Sequence, residues 1–317
     1  MKVAIVDLGT NTCRLFLATV AGASEVRAHV RQTTVVRLGE GVDEDRRLRP
    51  AAIERTRACL AGYAAELRRF SPERRLLIAT SVLRDARDGA AFLAAVEREY
   101  GMPSRVLRGE EEAALAFRGG TAELAATSAS GKLVLIDIGG GSTEFAIGAP
   151  GGAPSFVRSL DVGAVRLTER FIRHDPPLPG ELTALSDFVA GTIAGNVPVA
   201  VRNGVAAAVG VAGTYTTLVA HKLALTVYQP ELVHGHVLTL ADIEASLARF
   251  VGLTHAQRAR LAGIQAGRED VIIAGAVIAR EACRAFSLDA VRCSEADLLE
   301  GAALALAEGS LAASTAD

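Results

Sequence analysis

No run of apolar residues in this 317-residue chain approaches the roughly 20 that a membrane span requires. A transmembrane helix is excluded, and four apolar residues between Lys2 and Asp7 are too few for the hydrophobic region of a secretion signal. Cysteine is scarce. Cys13, Cys59, Cys283 and Cys293 sit singly in apolar segments, without the paired spacing of a metal site or the density of a disulfide scaffold. They read as buried, reduced thiols of a cytoplasmic protein. An excess of either charge is also lacking, since 34 basic and 36 acidic residues leave a net charge of −2. This excludes a surface given over to nucleic acid or to an anionic membrane, so any polyanion must be met locally. Lysine is nearly absent: only Lys2, Lys132 and Lys222 accompany 31 arginines, whose planar fork grips phosphate or carboxylate at two points. A GC-rich coding bias explains that preference more economically than selection for phosphate.

What remains is the composition of a soluble globular protein, 50% hydrophobic and 22% charged, long enough for two domains. Two segments resemble each other. Val3 to Asp7 is an apolar strand ending in Asp, followed by Leu-Gly9-Thr-Asn-Thr12 and the apolar stretch Leu15 to Val20; Leu133 to Asp137 is followed by Ile-Gly139-Gly-Gly-Ser142 and Thr143 to Ile147. A duplicated domain is implied. Each half reads as β-β-β-α-β-α-β-α with extra helices, an α/β fold. The first half has a third β-rich stretch at Glu25 to Leu38, a helix from Pro50 to about Phe70, a strand from Leu76 to Thr80, a helix from Asp88 to Tyr100, a strand from Arg105 to Leu107 and a helix from Glu110. The second half has strands near 133–138, 143–148 and 155–160, helices between Ala164 and Val201, a strand from Ala206 to Val211 and a helix from Thr214. A helix opening at Thr254 with Gln257 in its capping box, a helix from Asp270 to Phe286, a strand from Ala290 to Cys293 and a closing helix complete it. The linker is expected in Gly119 to Gly131.

A strand that ends in Asp and turns through Gly, Thr, Asn or Ser places a carboxylate beside close-approaching N–H groups and hydroxyls. Such a loop can hold phosphate oxygens while the carboxylate binds a metal through water. It is not a Walker loop, because the Gly-Lys-Ser/Thr ending is missing and a β-rich segment follows. One such loop alone is better explained as an ordinary glycine hairpin, but two in duplicated halves favour phosphate. A third glycine loop, Gly210-Val-Ala-Gly213-Thr214, opens a helix whose N-terminus suits an anion. Thr80-Ser-Val-Leu-Arg84 leaves a strand with hydroxyls and an arginine, and Glu110, Glu111 and Glu112 begin a helix, where acids complement the dipole. If one of these glutamates faces a cleft, it is a candidate general base. His234-Gly-His236 reads as an ordinary turn in preference to a metal pair.

In order and spacing, Asp7-Leu-Gly-Thr-Asn-Thr12, Ala79-Thr-Ser-Val-Leu-Arg84, Gly109-Glu-Glu-Glu-Ala113, Asp137-Ile-Gly-Gly-Gly-Ser-Thr-Glu144 and Gly210-Val-Ala-Gly-Thr214 resemble the motifs of the exopolyphosphatase/guanosine pentaphosphate phosphohydrolase (Ppx/GppA) family. The resemblance covers essentially the whole chain. It implies two ribonuclease-H-like domains of the actin, hsp70 and sugar kinase superfamily around a cleft, here expected at 1–122 and 123–317 with the last helix packing back on the first domain. It implies catalytic roles for Glu112, as the base activating water, and for Asp137 and Glu144, with Asp7, Asp137 and Glu144 as metal ligands. Phosphate contacts would fall to Thr10, Asn11, Thr12, Arg84, Gly139, Gly140, Gly141, Ser142, Gly213 and Thr214. Threonines at 10 and 12 and Arg108 stand where the family often has serine, and the chain resembles the family's short form, without additional C-terminal helical domains. Four acids in one cleft would repel polyphosphate without a divalent ion. Mg²⁺ is the first choice and Mn²⁺ the second.

The implied reaction is hydrolysis of the terminal phosphoanhydride of polyphosphate, with short chains favoured because no long basic track is evident. Guanosine pentaphosphate hydrolysis uses the same constellation, and a small-molecule kinase or a nucleotide-binding actin-like scaffold are the alternatives of other classes. A homodimer is among the expectations; nucleic acid and membrane are not.

Overall fold

Strand β1 (Lys2–Leu8) is apolar almost throughout, and its alternating side chains enter different cores: Val3 and Ile5 one, Ala4, Val6 and Leu8 another. A strand covered on both faces must lie inside a layered α/β structure. The computed structural model describes residues 1–22, 25–124 and 131–312 and contains two such sheets. In the first, β2 (Thr12–Ala21) pairs antiparallel with β1 and with β3 (Glu25–Val35), while β4 (Arg74–Ala79) and β5 (Ser104–Val106) continue in parallel from the other side of β1. The second contains β6 (Lys132–Ile138), β7 (Thr143–Gly148), β8 (Phe156–Leu160), β9 (Val205–Val211), β10 (Val237–Thr239) and β11 (Ala290–Cys293). The orders β3-β2-β1-β4-β5 and β8-β7-β6-β9-β11 are the same topology, with β10 added antiparallel at the edge. The duplication is thus structural, and the fold is two-domain α/β.

Local signals place most elements within a few residues. Pro50 opens the helix Pro50–Phe70, and the capping box of Thr254 and Gln257 is formed, although its helix is a single turn, His255–Arg258. Several features differ from expectation, among them the helix Leu240–Val251, which no pattern above announced. Strand β10 has only three residues, too few for a periodic signal. The segment that leaves the strand at Thr80 continues as a helical turn, Ser81–Asp85. Gly119 and Gly120, assigned above to the linker, are helical residues of Gly109–Thr121, while 125–130 lie outside the described residues.

Packing explains those glycines. The helix Gly109–Thr121, from the first half of the sequence, packs on β7 and β8 of the second sheet, and the closing helix Leu298–Glu308 packs on the first sheet. The two helices lie side by side in a shared core that includes Phe117, Leu135, Val211, Leu299 and Leu304. A Cβ on Gly119 would stand 1.9 Å from the Asp297 carbonyl oxygen, and one on Gly301 would stand 1.9 Å from that of Leu115. Each helix therefore keeps a glycine where the other's backbone touches it.

Candidate active site

Both aspartates of the repeat lie at the carboxyl ends of central strands, where α/β sheets bind their ligands. The hairpins that follow are built alike. In the first, the Thr10 carbonyl accepts from Gly39 N–H at 2.8 Å, and the Asn11 carbonyl accepts from Val36 and Arg37 N–H at 3.0 and 2.9 Å. In the second, the Gly139 carbonyl accepts from Ala164 N–H at 2.9 Å, and the Gly140 carbonyl accepts from Val165 and Arg166 N–H at 2.9 and 3.1 Å. The carbonyls are tied to the next element of their own domain, which leaves the N–H groups of Thr10, Asn11, Gly140 and Gly141 without an acceptor among the described residues. Buried N–H groups in that state need an anion or water. The loops abut, with Thr10 Oγ1 3.1 Å from Ser81 Oγ and no room for a Cβ on Gly141, which would meet Ser81 Oγ at 2.5 Å.

One cleft of about 470 Å³ collects Asp7, Thr10, Asn11, Thr12, Glu112, Asp137, Gly139, Gly140, Ser142, Gly213 and Thr214. Gly213 and Thr214 stand on the first turn of the helix Ala212–Lys222, where backbone N–H groups lack helical partners. Burial pushes the carboxyl of Glu112 up to about 7, against the pull of Arg84, whose Nη1 donates to Glu112 Oε2 at 3.2 Å. Asp137 is raised to about 8 by burial and by the neighbouring Asp297 and Glu112. Glu144 is raised well above the carboxylate range by burial and by Glu112 and Asp137. Asp7 is raised too, burial outweighing Arg14, whose Nε donates to Asp7 Oδ2 at 2.7 Å. Asp7 Oδ1 is buried without a partner among the described residues. Burial thus favours the protonated form of each of these four carboxyls.

Residues 19–308 match the Ppx/GppA phosphatase family. The chain belongs to that family. It is 38% identical to exopolyphosphatase 2 of Mycobacterium tuberculosis, over 96% of this chain and 98% of the relative. Among solved structures, an exopolyphosphatase-like protein superposes with a TM-score of 0.91 at 30% identity, covering 98% of this chain and all of the other. The Ppx/GppA family member of Aquifex aeolicus superposes with a TM-score of 0.81, also at 30% identity, covering 98% of each chain.

Within this Ppx/GppA fold, three residues assigned from the sequence are not among those lining the cleft. Arg84 donates to the Leu107 carbonyl at 2.6 Å and to Glu112 Oε2 at 3.2 Å. Gly141 faces Ser81 and Thr10, and its carbonyl is held by Arg166 at 2.7 Å. Glu144 is 1% exposed, directly across the strand pair from Asp137, and accepts from Ser159 Oγ at 2.7 Å. Asp7, Asp137 and Glu144, implied above as metal ligands, do not converge as a ready-made cage: among the described residues no group of three acidic, histidine or cysteine side chains is gathered closely enough to hold an ion by itself. Asp7 is turned to Arg14 and Glu144 to Ser159. His234 pairs with Glu123 at 2.8 Å beside the turn at Gly235, φ 77°.

Arg14, Arg31, Asp297 and Arg268 are among the cleft residues that were not assigned. Arg14 bridges Asp7 and Asp297, and Arg31 pairs with Glu300. Arg14 follows Asp7 at the spacing that separates Glu144 from Asp137, and both pairs are directly cross-strand, so aligning the repeats would have exposed it. Asp297 caps the closing helix with Glu300 as its box partner, a signal visible in Asp297-Leu-Leu-Glu300. Although burial opposes its ionisation, Arg14 and Arg31 hold Asp297 below its ordinary value. Arg268 comes from an irregular segment and lies against Gly213, where a Cβ would fall 1.6 Å from its Nη1. No local pattern marks it.

Proposed function

We propose that this phosphatase is an exopolyphosphatase, which hydrolyses the terminal phosphoanhydride of inorganic polyphosphate and releases orthophosphate. The observation that carries the reading is Glu112, a buried carboxyl poised near pH 7 in the same cleft as two loops with unspent N–H groups. The names of the relatives point the same way. Phosphoryl transfer leaves the protein chiefly to position water and to balance charge. The N–H groups of Thr10, Asn11 and Gly140, with the first turn at Gly213 and Thr214, receive the phosphate oxygens. Glu112 takes a proton from water as its oxygen bonds to the terminal phosphorus and the bridging P–O bond breaks, the electron pair leaving with the shortened chain. Arg84 holds Glu112 in place; Arg14 offsets Asp7 and Asp297; Arg268 offers a guanidinium to phosphate.

An all-oxygen donor set with an orphaned Asp7 Oδ1 fits Mg²⁺, which takes one or two carboxylates and completes its shell from phosphate and water. Asp7 and Asp137 would hold it, with Glu144 behind Asp137, and Mn²⁺ is the second ion of the same preference. When bound, it supplies positive charge against the phosphate oxygens. The division at 1–122 and 123–317 belongs to this reading, as does a cytoplasmic setting in which four free cysteines stay reduced. So does a preference for short chains: exposed arginines such as Arg49, Arg55 and Arg69 pair with acids instead of forming a bare basic track.

The test is phosphate release from polyphosphates of defined length beside guanosine pentaphosphate. Faster release from polyphosphate, with intermediates of decreasing length on a gel, is expected. Faster release from guanosine pentaphosphate overturns the substrate assignment. Long chains that vanish without intermediates overturn the short-chain preference.

A further inference from the structure

One side chain joins the two domains behind the cleft floor. Arg166, on the first turn of the helix Ala164–Phe171, is 14% exposed and reaches from the second domain into the first. Its Nε donates to the Gly141 carbonyl in the second phosphate loop at 2.7 Å, and its two terminal nitrogens donate to Asp43 and Asp85. Asp43 lies in the turn Val42–Asp45, just after the segment whose N–H groups hold the carbonyls of the first loop. Asp85 ends the helical turn that carries Ser81, in contact with Thr10, and Arg84, in contact with Glu112. The guanidinium therefore meets one loop directly and stands next to both the support of the other loop and the mount of the base. A second link starts on the same face, where Glu169 accepts from Gly41 N–H at 3.2 Å.

The loops themselves leave little slack. A Cβ on Gly140 would be 3.0 Å from the Thr10 Cβ, and one on Gly141 would be 2.7 Å from Thr10 Oγ1. Any change in domain spacing is thus felt at the site. A planar fork can hold two carboxylates and a carbonyl in three directions at once; an ammonium on a flexible stem cannot hold them in fixed geometry.

We propose that Arg166 is a positioning residue that sets the spacing of the two phosphate loops, and with it the distance from Glu112 to the phosphate under attack. This rests on the hydrolytic reading above, so the test includes a measurement that needs no turnover. Arg166→Gln, Arg166→Lys and Asp85→Asn are compared with the unaltered chain for release of phosphate from tripolyphosphate and for radius of gyration without substrate. Arg166→Gln is expected to lower kcat about 10²-fold, the scale of an ångström misplacement. KM should change by no more than about threefold, since each loop keeps its N–H groups. Its radius of gyration should rise as the domains part. Arg166→Lys, able to grip one aspartate, should recover about tenfold of kcat. Arg166→Gln combined with Asp85→Asn should be little slower than Arg166→Gln alone, because both remove one linkage. A brace with no part in positioning would lower Tm while leaving kcat per folded molecule unchanged. That result, or an unchanged radius of gyration in Arg166→Gln, overturns the proposal. Should that variant fail to fold, Asp85→Asn is judged by the same two measurements. If the unaltered chain releases no phosphate from tripolyphosphate, the hydrolytic reading fails, and the scattering still decides whether Arg166 sets the domain spacing.

Discussion

Replacing Glu112 by Gln separates two consequences of one buried charge. The amide keeps the volume but cannot accept a proton from water, so kcat should fall by roughly 10² to 10⁴. Its effect on stability should run the other way. Raising a carboxyl from the ordinary 4.3 to about 7 corresponds to roughly 3 to 4 kcal/mol of disfavoured ionisation. The folded state keeps a proton that the unfolded chain releases, so this group favours folding fully below about pH 4, and the advantage is lost as pH rises through 7. Gln escapes that loss, and the opposing pull of Arg84 Nη1, a contact of 3.2 Å, is already contained in the raised value. The gain at pH 8 is therefore about 3 kcal/mol, and at pH 5, where folded Glu112 is protonated, it falls to about 1 kcal/mol. Thermal unfolding of both proteins from pH 5 to pH 8, beside phosphate release, reads both effects. Undiminished turnover in Glu112→Gln would refute the base assignment. A variant equally destabilised at both pH values would refute the claim that a costly buried charge was removed.

Arg14→Gln leaves Asp7 and Asp297 facing Asp137 without their shared cation, and should cost about 3 to 5 kcal/mol at neutral pH, with relief once the acids protonate. An unchanged denaturant midpoint at pH 7 would count against it. Gly141→Ala inserts a methyl 2.5 Å from Ser81 Oγ and 2.7 Å from Thr10 Oγ1; the chain should fold and lose at least about tenfold in kcat, and wild-type turnover would contradict the close approach of the loops. Without divalent ions, Tm should decline between pH 5 and 8 as Glu112, raised to about 7, and Asp137, raised to about 8, lose protons that favour the folded state. Asp242 and Glu181, held near 2, titrate below that window. Mg²⁺ should raise Tm most at pH 8, and a metal-free Tm that climbed with pH would refute the burial argument.

Much of the architecture is written in short stretches of chain. The Asp-ended apolar strands, their glycine loops and the Pro50 helix start are local patterns, since a pleat, a tight turn or a first helical turn is decided by neighbours in sequence. They revealed the duplication, the two-domain α/β fold and the loops that gather at the cleft. The sequence could not show which charges would meet. Arg14 and Asp297 are separated by 283 positions, and Arg166 meets Asp43 and Asp85 across 123 and 81. Nor could it show that Arg84 would turn to Glu112, or that Gly119 is spare of a side chain because another helix crosses there. Residue identity sets what a group can do within its own turn or hairpin. Its ionisation and its partners depend on burial and on charges from distant segments, which exist only once the two sheets and the helices between them are packed.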